Sequence, residues 1–137
     1  MSLNQLYSKK VLEHFRKPKN MGEIKNPDGM ATVGNPVCGD VMRFFIKVAK
    51  QPDTKETKYI KDIKFQTLGC GAAIATSSIL TMMVKGKPLA EAEKIGNQAI
   101  VEALGGLPPA KIHCSLLAID ALKKAIANYW KKRVKSK

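Results

Sequence analysis

The stretch that decides the fold covers residues 40–49 and reads Asp-Val-Met-Arg-Phe-Phe-Ile-Lys-Val-Ala. Alternation with period two is typical of a β-strand with one buried face, because successive side chains of a strand point to opposite sides. We therefore predict a strand from Asp40 to Ala49. Its apolar face consists of Met42, Phe44, Ile46 and Val48, and the intervening positions carry Val41, Arg43, Phe45 and Lys47.

Two neighbouring segments supply partners for this strand. Residues 51–55, Gln-Pro-Asp-Thr-Lys, predict a hairpin loop, and a return strand follows from Tyr59 to Thr67 with Ile63 and Phe65 facing inward. On the N-terminal side, Ala31-Thr32-Val33 predicts a short strand before the tight connection of residues 34–39. Three consecutive strands with short links predict an antiparallel meander.

Five other segments have helical patterns, and prolines or glycines mark several of their ends. Strands followed by helices predict an α+β fold. We expect a single domain, residues 1–137, in which helices cover one face of a three-stranded antiparallel sheet and a long helix lies at the C-terminus. The predicted helices are Leu3 to Lys17, Ala72 to Lys85, Pro88 (as the first helical residue) to Ile95, a helix that Asn97 caps and that ends at Gly105-Gly106, and about Ile112 to Arg133.

Composition and charge narrow the function classes. No apolar run approaches the ~20 residues of a membrane-spanning helix, and the N-terminal segment has no signal-peptide core, so we expect a cytoplasmic protein without a membrane partner. The net charge of +13, from 24 Lys+Arg against 11 Asp+Glu, favours anionic partners and raises the question of nucleic acid. Aromatic residues make up only 6% and no recognition motif is present, so we interpret the charge as a solvated basic surface.

Three cysteines lie at junctions between predicted elements. Cys38 falls in the loop between two strands, Cys70 falls between two glycines where a strand passes into a helix, and Cys114 opens the longest helix. An odd number excludes a complete disulfide framework, and cytosolic thiols stay reduced. The partial positive charge of a helix N-terminus favours the thiolate, which is the metal-binding form. The three cysteines are therefore predicted metal ligands.

Two further side chains are candidates to complete the site, since only three thiols are available. Asp40 follows Cys38 by two residues and His113 precedes Cys114 directly. Permanent iron–sulfur electron carriers usually have four protein ligands, mostly cysteines, so a cluster completed by a carboxylate or imidazole should exchange more readily. The same spacing would equally allow zinc at Cys38, Asp40, Cys70 and Cys114.

A thiol hydrolase that uses Cys114 and His113 is an alternative. Adjacent residues of a helix point about 100° apart, so we expect that the two side chains do not readily face each other. No aspartate or asparagine is placed by the sequence to orient the imidazole. We therefore expect a carrier rather than an enzyme. His14, the second histidine, is interpreted as a packing or surface residue of the first helix.

Four motifs resemble those of the IscU family, which also occurs as the N-terminal domain of NifU proteins. They span almost the whole chain in the order that the family has. The motifs are Val11-Leu12-Glu13-His14-Phe15 with Pro18 and Asn20, Gly34-Asn35-Pro36-Val37-Cys38-Gly39-Asp40, Leu68-Gly69-Cys70-Gly71-Ala72-Ala73-Ile74-Ala75 with Ser77-Ser78, and Gly105-Gly106-Leu107-Pro108-Pro109-Ala110-Lys111-Ile112-His113-Cys114-Ser115.

The resemblance implies a scaffold on which [2Fe–2S] clusters are assembled and from which they pass to apo iron–sulfur proteins. It implies sulfur delivery by a cysteine desulfurase, with Cys114 as the persulfide acceptor, Asp40 as a ligand that promotes release, and His113 as an alternate ligand. It further implies that Zn²⁺ occupies the apo form, and that the protein is a monomer or a homodimer around the cluster. The retained His113 and the short interval from Cys70 resemble IscU rather than the zinc-binding sulfur acceptor SufU, which is the alternative.

A dedicated DnaK-type chaperone and its co-chaperone are further partners that the resemblance implies. Their recognition site in the family is similar to the segment Leu107-Pro108-Pro109-Ala110-Lys111. The family motif usually has valine where this chain has Ala110, and Lys111 would also place a positive charge beside the third cysteine.

Overall fold

A three-stranded antiparallel sheet organises the protein, as a computed structural model of residues 8–35, 40–50, 58–69 and 71–135 describes it. The strands are β1 (Gly29–Asn35), β2 (Asp40–Lys50) and β3 (Lys58–Leu68), and they lie in the order β1-β2-β3. The meander is therefore confirmed. β1 is longer than the predicted strand of residues 31–33 because two residues at each end, 29–30 and 34–35, also pair with β2. The predicted connection of residues 34–39 is therefore wrong at its first two residues, and its residues 36–39 lie outside the described residues, as does the predicted loop of residues 51–55.

One face of the sheet forms the core. The predicted apolar positions Met42, Phe44 and Ile46 are fully buried, and so are Ile63 and Phe65 on β3. Cross-strand neighbours on one face stabilise a sheet through such contacts, and the rings of Phe44 and Phe65 stack with centroids 6.1 Å apart. The period-two pattern of residues 40–49 thus identified the buried face correctly.

Helices cover this buried face of the sheet. The C-terminal helix packs along β1 and β2. The helix that follows β3 in the chain packs against the C-terminal helix and against β3. Within the described residues a helix lies in each predicted segment, and the long C-terminal helix is confirmed. The segment predicted to be helical up to Ile95 ends its helix at Ala92, so that prediction is three residues too long. No described helix is long and apolar enough to cross a membrane. The helices are α1 (Lys9–Arg16), α2 (Gly71–Val84), α3 (Leu89–Ala92), α4 (Asn97–Ala103) and α5 (Ile112–Lys135), and a 3₁₀ turn (Pro109–Lys111) precedes α5.

Three predicted helix starts are wrong by one residue. α2 begins at Gly71 instead of Ala72. Asn97 is the first residue of α4 instead of its cap, which is Gly96, because the Asn97 side-chain oxygen accepts a hydrogen bond from the Ser115 hydroxyl. Pro88 is the cap of α3 instead of its first residue. The chain before it is tied to β3 by hydrogen bonds between Ile60 and the backbone of residues 86 and 87, so the helix begins only at Leu89.

Serine hydroxyl groups cap α1 and join it to α2 by hydrogen bonds. Ser8 caps α1 by accepting a hydrogen bond from the Val11 amide at 3.1 Å. His14 Nδ1 lies 2.7 Å from Ser78 Oγ, and the Lys19 amide donates to the same oxygen at 2.7 Å. His14 is therefore a packing residue of the first helix, as the sequence suggested, and its ring is half-buried.

The environment of His14 makes stability depend on pH. Burial lowers the pKa of His14, and Lys19 and Lys10 lower it further, against an opposing effect of Glu13. The unfolded chain then binds a proton more readily than the folded protein, so this contribution to stability is complete above about pH 6.5 and is lost as the pH falls toward the folded pKa. We expect the melting temperature to drop more between pH 7.5 and 5.5 in the wild type than in His14→Gln. Parallel melting curves for the two proteins would contradict this.

Gly29 marks the closest approach of β1 to α5. A Cβ atom at this position would lie 2.4 Å from the Ala125 carbonyl oxygen and 3.0 Å from Tyr129 Cβ. Since both neighbours belong to a packed helix, we expect Gly29→Ala to destabilise the protein by about 2 kcal/mol in urea unfolding. Gly96→Ala is the matched control, because a Cβ there meets nothing within 4 Å, and a comparable loss in both variants would refute this account.

Candidate functional site

Two chain junctions, between β1 and β2 and after β3, lie at one end of the sheet. Asn35, the last residue of β1, pairs with Asp40, the first residue of β2. The next residue, Val41, pairs with Leu68, the last residue of β3. Asp40 therefore opens a strand at the sheet edge where β3 ends. Cys38 and Cys70 lie outside the described residues, and so does the side chain of Asp40.

We infer that α5 runs antiparallel to β1 and has its N-terminus at this end of the sheet, because the two elements pack along each other and the C-terminal half of α5 contacts the start of β1. Its C-terminal half meets the start of β1, where Asn128 accepts a hydrogen bond from the Met30 amide at 3.1 Å. From Asn128 back to Cys114 the helix spans about 21 Å, and β1 spans about 17 Å from Met30 to Asn35. The N-terminus of α5 therefore lies beside the end of β1, next to the start of β2.

Cys114 lies in the first turn of α5 with a fully buried side chain. Its Sγ atom is 3.5 Å from Nε2 of His113. The expectation that these neighbours do not face each other is therefore wrong. The Cβ atoms of the two residues do point in different directions. Nε2, however, lies at the end of the imidazole ring away from Cβ, and rotation of the side chain brings it within 3.5 Å of the sulfur. A thiol and an imidazole thus form one unit.

The start of α5 is held in place by buried polar contacts. Ser115 is fully buried, and its hydroxyl bonds to the Asn97 side chain at the start of α4 and lies 2.8 Å from the Ile112 carbonyl oxygen. These contacts fix the turn that carries Cys114 and His113 against a second helix. Ser115 had no predicted role, although its position directly after the third cysteine indicated that it belongs to the site region.

Phe15 is a second residue of the site region whose role the sequence did not indicate. Its ring lies against Gly71, the first residue of α2, so closely that a Cβ there would be 3.1 Å from the ring. Gly71 follows Cys70 in the chain, so α1 covers the junction that carries the second cysteine. The glycine is needed here because a larger residue would displace the ring. Phe15 itself remains 40% exposed.

The described side chains fit part of a metal or cluster site. Among residues 8–35, 40–50, 58–69 and 71–135 no three His, Cys, Asp or Glu side chains gather around one point, since Cys38 and Cys70 are outside that set. Cys114 and His113 provide one thiol and one imidazole in contact, at a helix N-terminus that favours the thiolate. Thiolate and imidazole are ligands that suit iron–sulfur clusters and zinc.

The segment from Leu107 to Lys111 leads directly into this unit. Pro108 caps the 3₁₀ turn, and Pro109 is its first residue. Leu107 packs partly buried against the hydrophobic core, and Lys111 is half-buried at the end of the turn, one residue before α5. The side chain of Ala110 is outside the described set. The predicted chaperone motif is thus a folded connection whose apolar residue contacts the core.

Comparisons with known proteins identify the class. The model of the NifU-like N terminal domain family matches residues 6–136, nearly the whole chain. The protein belongs to this family.

Curated relatives and a solved structure show which proteins of this family the chain is similar to. The chain is 56% identical over 130 residues to the iron-sulfur cluster assembly scaffold protein IscU 1 of Archaeoglobus fulgidus, with 95% of this chain and 80% of that protein covered. It is 51% identical to the iron-sulfur cluster assembly scaffold protein IscU of Escherichia coli K12, with 93% and 96% covered. The crystal structure of the N-terminal part of a nitrogen-fixing NifU-like protein from Brucella abortus has the same fold, with a TM-score of 0.69 at 19% identity and 95% and 98% covered.

Proposed function

We propose that this protein is a scaffold on which [2Fe–2S] clusters are assembled and from which they are transferred to apo-acceptor proteins. The observation that carries the proposal is the buried Cys114 thiol in contact with His113 at the N-terminus of α5. Relatives at 56% and 51% identity that are named IscU scaffold proteins support it. The proposed ligands are Cys38, Cys70 and Cys114, with Asp40 or His113 as the fourth.

The topology supports convergence of these ligands. Asp40 opens β2 beside the end of β1, and the residue after Cys70 opens α2 three residues after the end of β3. Cys114 lies in the first turn of α5, whose N-terminus we infer to lie at the same end of the sheet. Three helix and strand starts at one edge bring backbone amides and helix dipoles of favourable sign toward a bound anion such as a sulfide-bridged cluster. A cluster bound there would serve as cargo, so we propose a carrier rather than an enzyme.

Sulfur delivery by a cysteine desulfurase requires a surface on which that enzyme docks. Apolar side chains are exposed beside the junctions: Leu68 is 74% exposed and Leu116 is 53% exposed. Leu68 lies two residues before Cys70, and Leu116 lies two residues after Cys114. Exposed apolar residues around a reactive centre are typical of a protein–protein contact. We propose that they receive the desulfurase while Cys114 accepts the sulfur as a persulfide.

A DnaK-type chaperone remains part of the proposal through the segment Leu107–Lys111. Because Leu107 packs against the core, recognition of this segment as an extended peptide would require the turn to leave the core. Such a release would loosen the start of α5, which follows immediately and carries Cys114. Chaperone binding would thereby be coupled to loss of the cluster.

Anaerobic reconstitution tests the proposal. The reduced protein is incubated with ferrous iron, sulfide and a thiol, and a [2Fe–2S] centre is measured by visible absorption and Mössbauer spectroscopy. Incubation with an apo-ferredoxin should then move the chromophore to the acceptor. A protein that stays colourless would end the scaffold proposal. If iron and sulfide never displace bound zinc, even with desulfurase present, the zinc-binding sulfur-acceptor alternative is correct.

A further inference from the structure

A cleft of about 520 Å³ lies on the side of the molecule formed by α1 and the C-terminal part of α2. Met82 in its wall lies about 17 Å along α2 from Gly71, where that helix begins. His113 and Cys114, the proposed ligands whose side chains the structure describes, do not line it. Its lining residues are Glu13, His14, Arg16, Lys17, Lys19 and Met82.

Positive charge dominates this cleft. Arg16, Lys17 and Lys19 are exposed, and Glu13 is the single carboxylate among the lining residues. In the described part of the chain, none of the three cations takes part in an ion pair; the pairs present there are Lys47–Asp28, Lys85–Asp62 and Lys124–Asp120. The cleft therefore offers a locally positive potential in which no described carboxylate is bonded to the cations.

His14 lines the cleft with a ring that is anchored to α2. Its Nδ1 atom lies 2.7 Å from Ser78 Oγ, and the same oxygen accepts a hydrogen bond from the Lys19 amide at 2.7 Å. Burial lowers the pKa of His14, which favours the neutral ring. These contacts hold α1 and the residues after it against α2, so the wall of the cleft is preformed.

Met82 gives the cleft an apolar contact. Its side chain is 50% exposed although its helix is buried along most of its length. Methionine is flexible and polarisable and adapts to different apolar side chains. A free inorganic anion would leave this contact unused.

We propose that this cleft is a docking site for an acidic peptide segment of a partner protein, with carboxylates on Arg16, Lys17 and Lys19 and an apolar side chain on Met82. The Glu13 carboxylate accepts backbone N–H groups, which a peptide has and a phosphate chain lacks. Nucleic acid fits less well because no Phe, Tyr or Trp is among the described residues that line the cleft, so large rings for base stacking are missing from that set. The docking site would account for three of the positive charges, those of Arg16, Lys17 and Lys19, in the net charge of +13.

Fluorescence anisotropy with the full chain, free of iron and sulfide, tests this docking site independently of cluster assembly. The probe is a fluorescein-labelled peptide in which glutamates flank a central leucine, and a second peptide has alanine in place of leucine. We expect Arg16→Gln/Lys17→Gln/Lys19→Gln to weaken binding of the leucine peptide by at least about tenfold at low salt. The matched control Lys25→Gln/Lys94→Gln/Lys123→Gln removes the same charge from exposed positions elsewhere and should weaken it by less than about threefold.

A second variant isolates the apolar contact. Met82→Gln should remove the preference for the leucine peptide over the alanine peptide and leave alanine-peptide binding unchanged. Equal losses in the two triple variants would overturn the proposal, since net charge alone would then explain binding. Displacement of the peptide by millimolar phosphate, or tighter binding of an oligothymidylate with the same dependence on Arg16, Lys17 and Lys19, would also overturn it. Circular dichroism confirms the folding of each variant, and Lys19→Gln alone replaces the triple if that variant unfolds.

Discussion

Replacing Cys114 by alanine is expected to lower the yield of reconstituted [2Fe–2S] cluster by at least about tenfold, because the variant loses a thiolate that we propose as a ligand, together with its contact with His113. The fold should survive. A change from cysteine to alanine removes a single sulfur from the core, and we expect it to cost about 1 kcal/mol of unfolding free energy. Visible absorption after anaerobic reconstitution, normalised to protein concentration, measures the yield.

Two further variants separate ligation from structure in that experiment. Cys114→Ser keeps the size of the side chain but is a poor iron ligand, so it should fail like Cys114→Ala. Leu116→Ala is the control, since this exposed residue lies on the same helix two positions later. A normal cluster yield in Cys114→Ser would remove Cys114 from the ligand set. Loss of the cluster in Leu116→Ala would show that the helix start is merely sensitive to substitution.

Replacing Asp40 by alanine is expected to lengthen the lifetime of the bound cluster and to slow its transfer to apo-ferredoxin, each by about tenfold. A hard carboxylate matches iron–sulfide chemistry less well than thiolate does, so Asp40 as the proposed ligand would supply an exchangeable position through which the cluster leaves. Asp40 opens β2 at the end of the sheet where β3 ends. Decay of the visible absorption and growth of the ferredoxin spectrum give the two rates.

The same measurement decides between the two candidates for the fourth ligand. If His113→Ala lengthens the lifetime while Asp40→Ala does not, the imidazole beside Cys114 completes the site. Glu23→Ala is the control, because it removes one carboxylate from an exposed position between α1 and β1. Unchanged lifetime and transfer rate in Asp40→Ala would refute its role in release.

The local patterns of the chain were sufficient for the sheet and for the main helices. Alternation at Met42, Phe44 and Ile46 identified the buried strand face, because strand periodicity is a property of neighbouring residues. The start of the longest helix at Ile112 was also correct, since Pro108 and Pro109 lie in the short connection before it. The family motifs led to the family that the comparisons identify.

The sequence by itself thus determined the α+β class, the meander, the main helices and the family, and it singled out the three cysteines, Asp40 and His113. Only the tertiary structure revealed the contact of His113 with Cys114, the use of Asn97 by Ser115, the ring of Phe15 over Gly71, and the cleft between α1 and α2. The physical reason is the distance along the chain over which each kind of interaction acts. Backbone propensity and periodicity act between near neighbours, whereas these features depend on side-chain rotamers and on the packing of segments far apart in the chain.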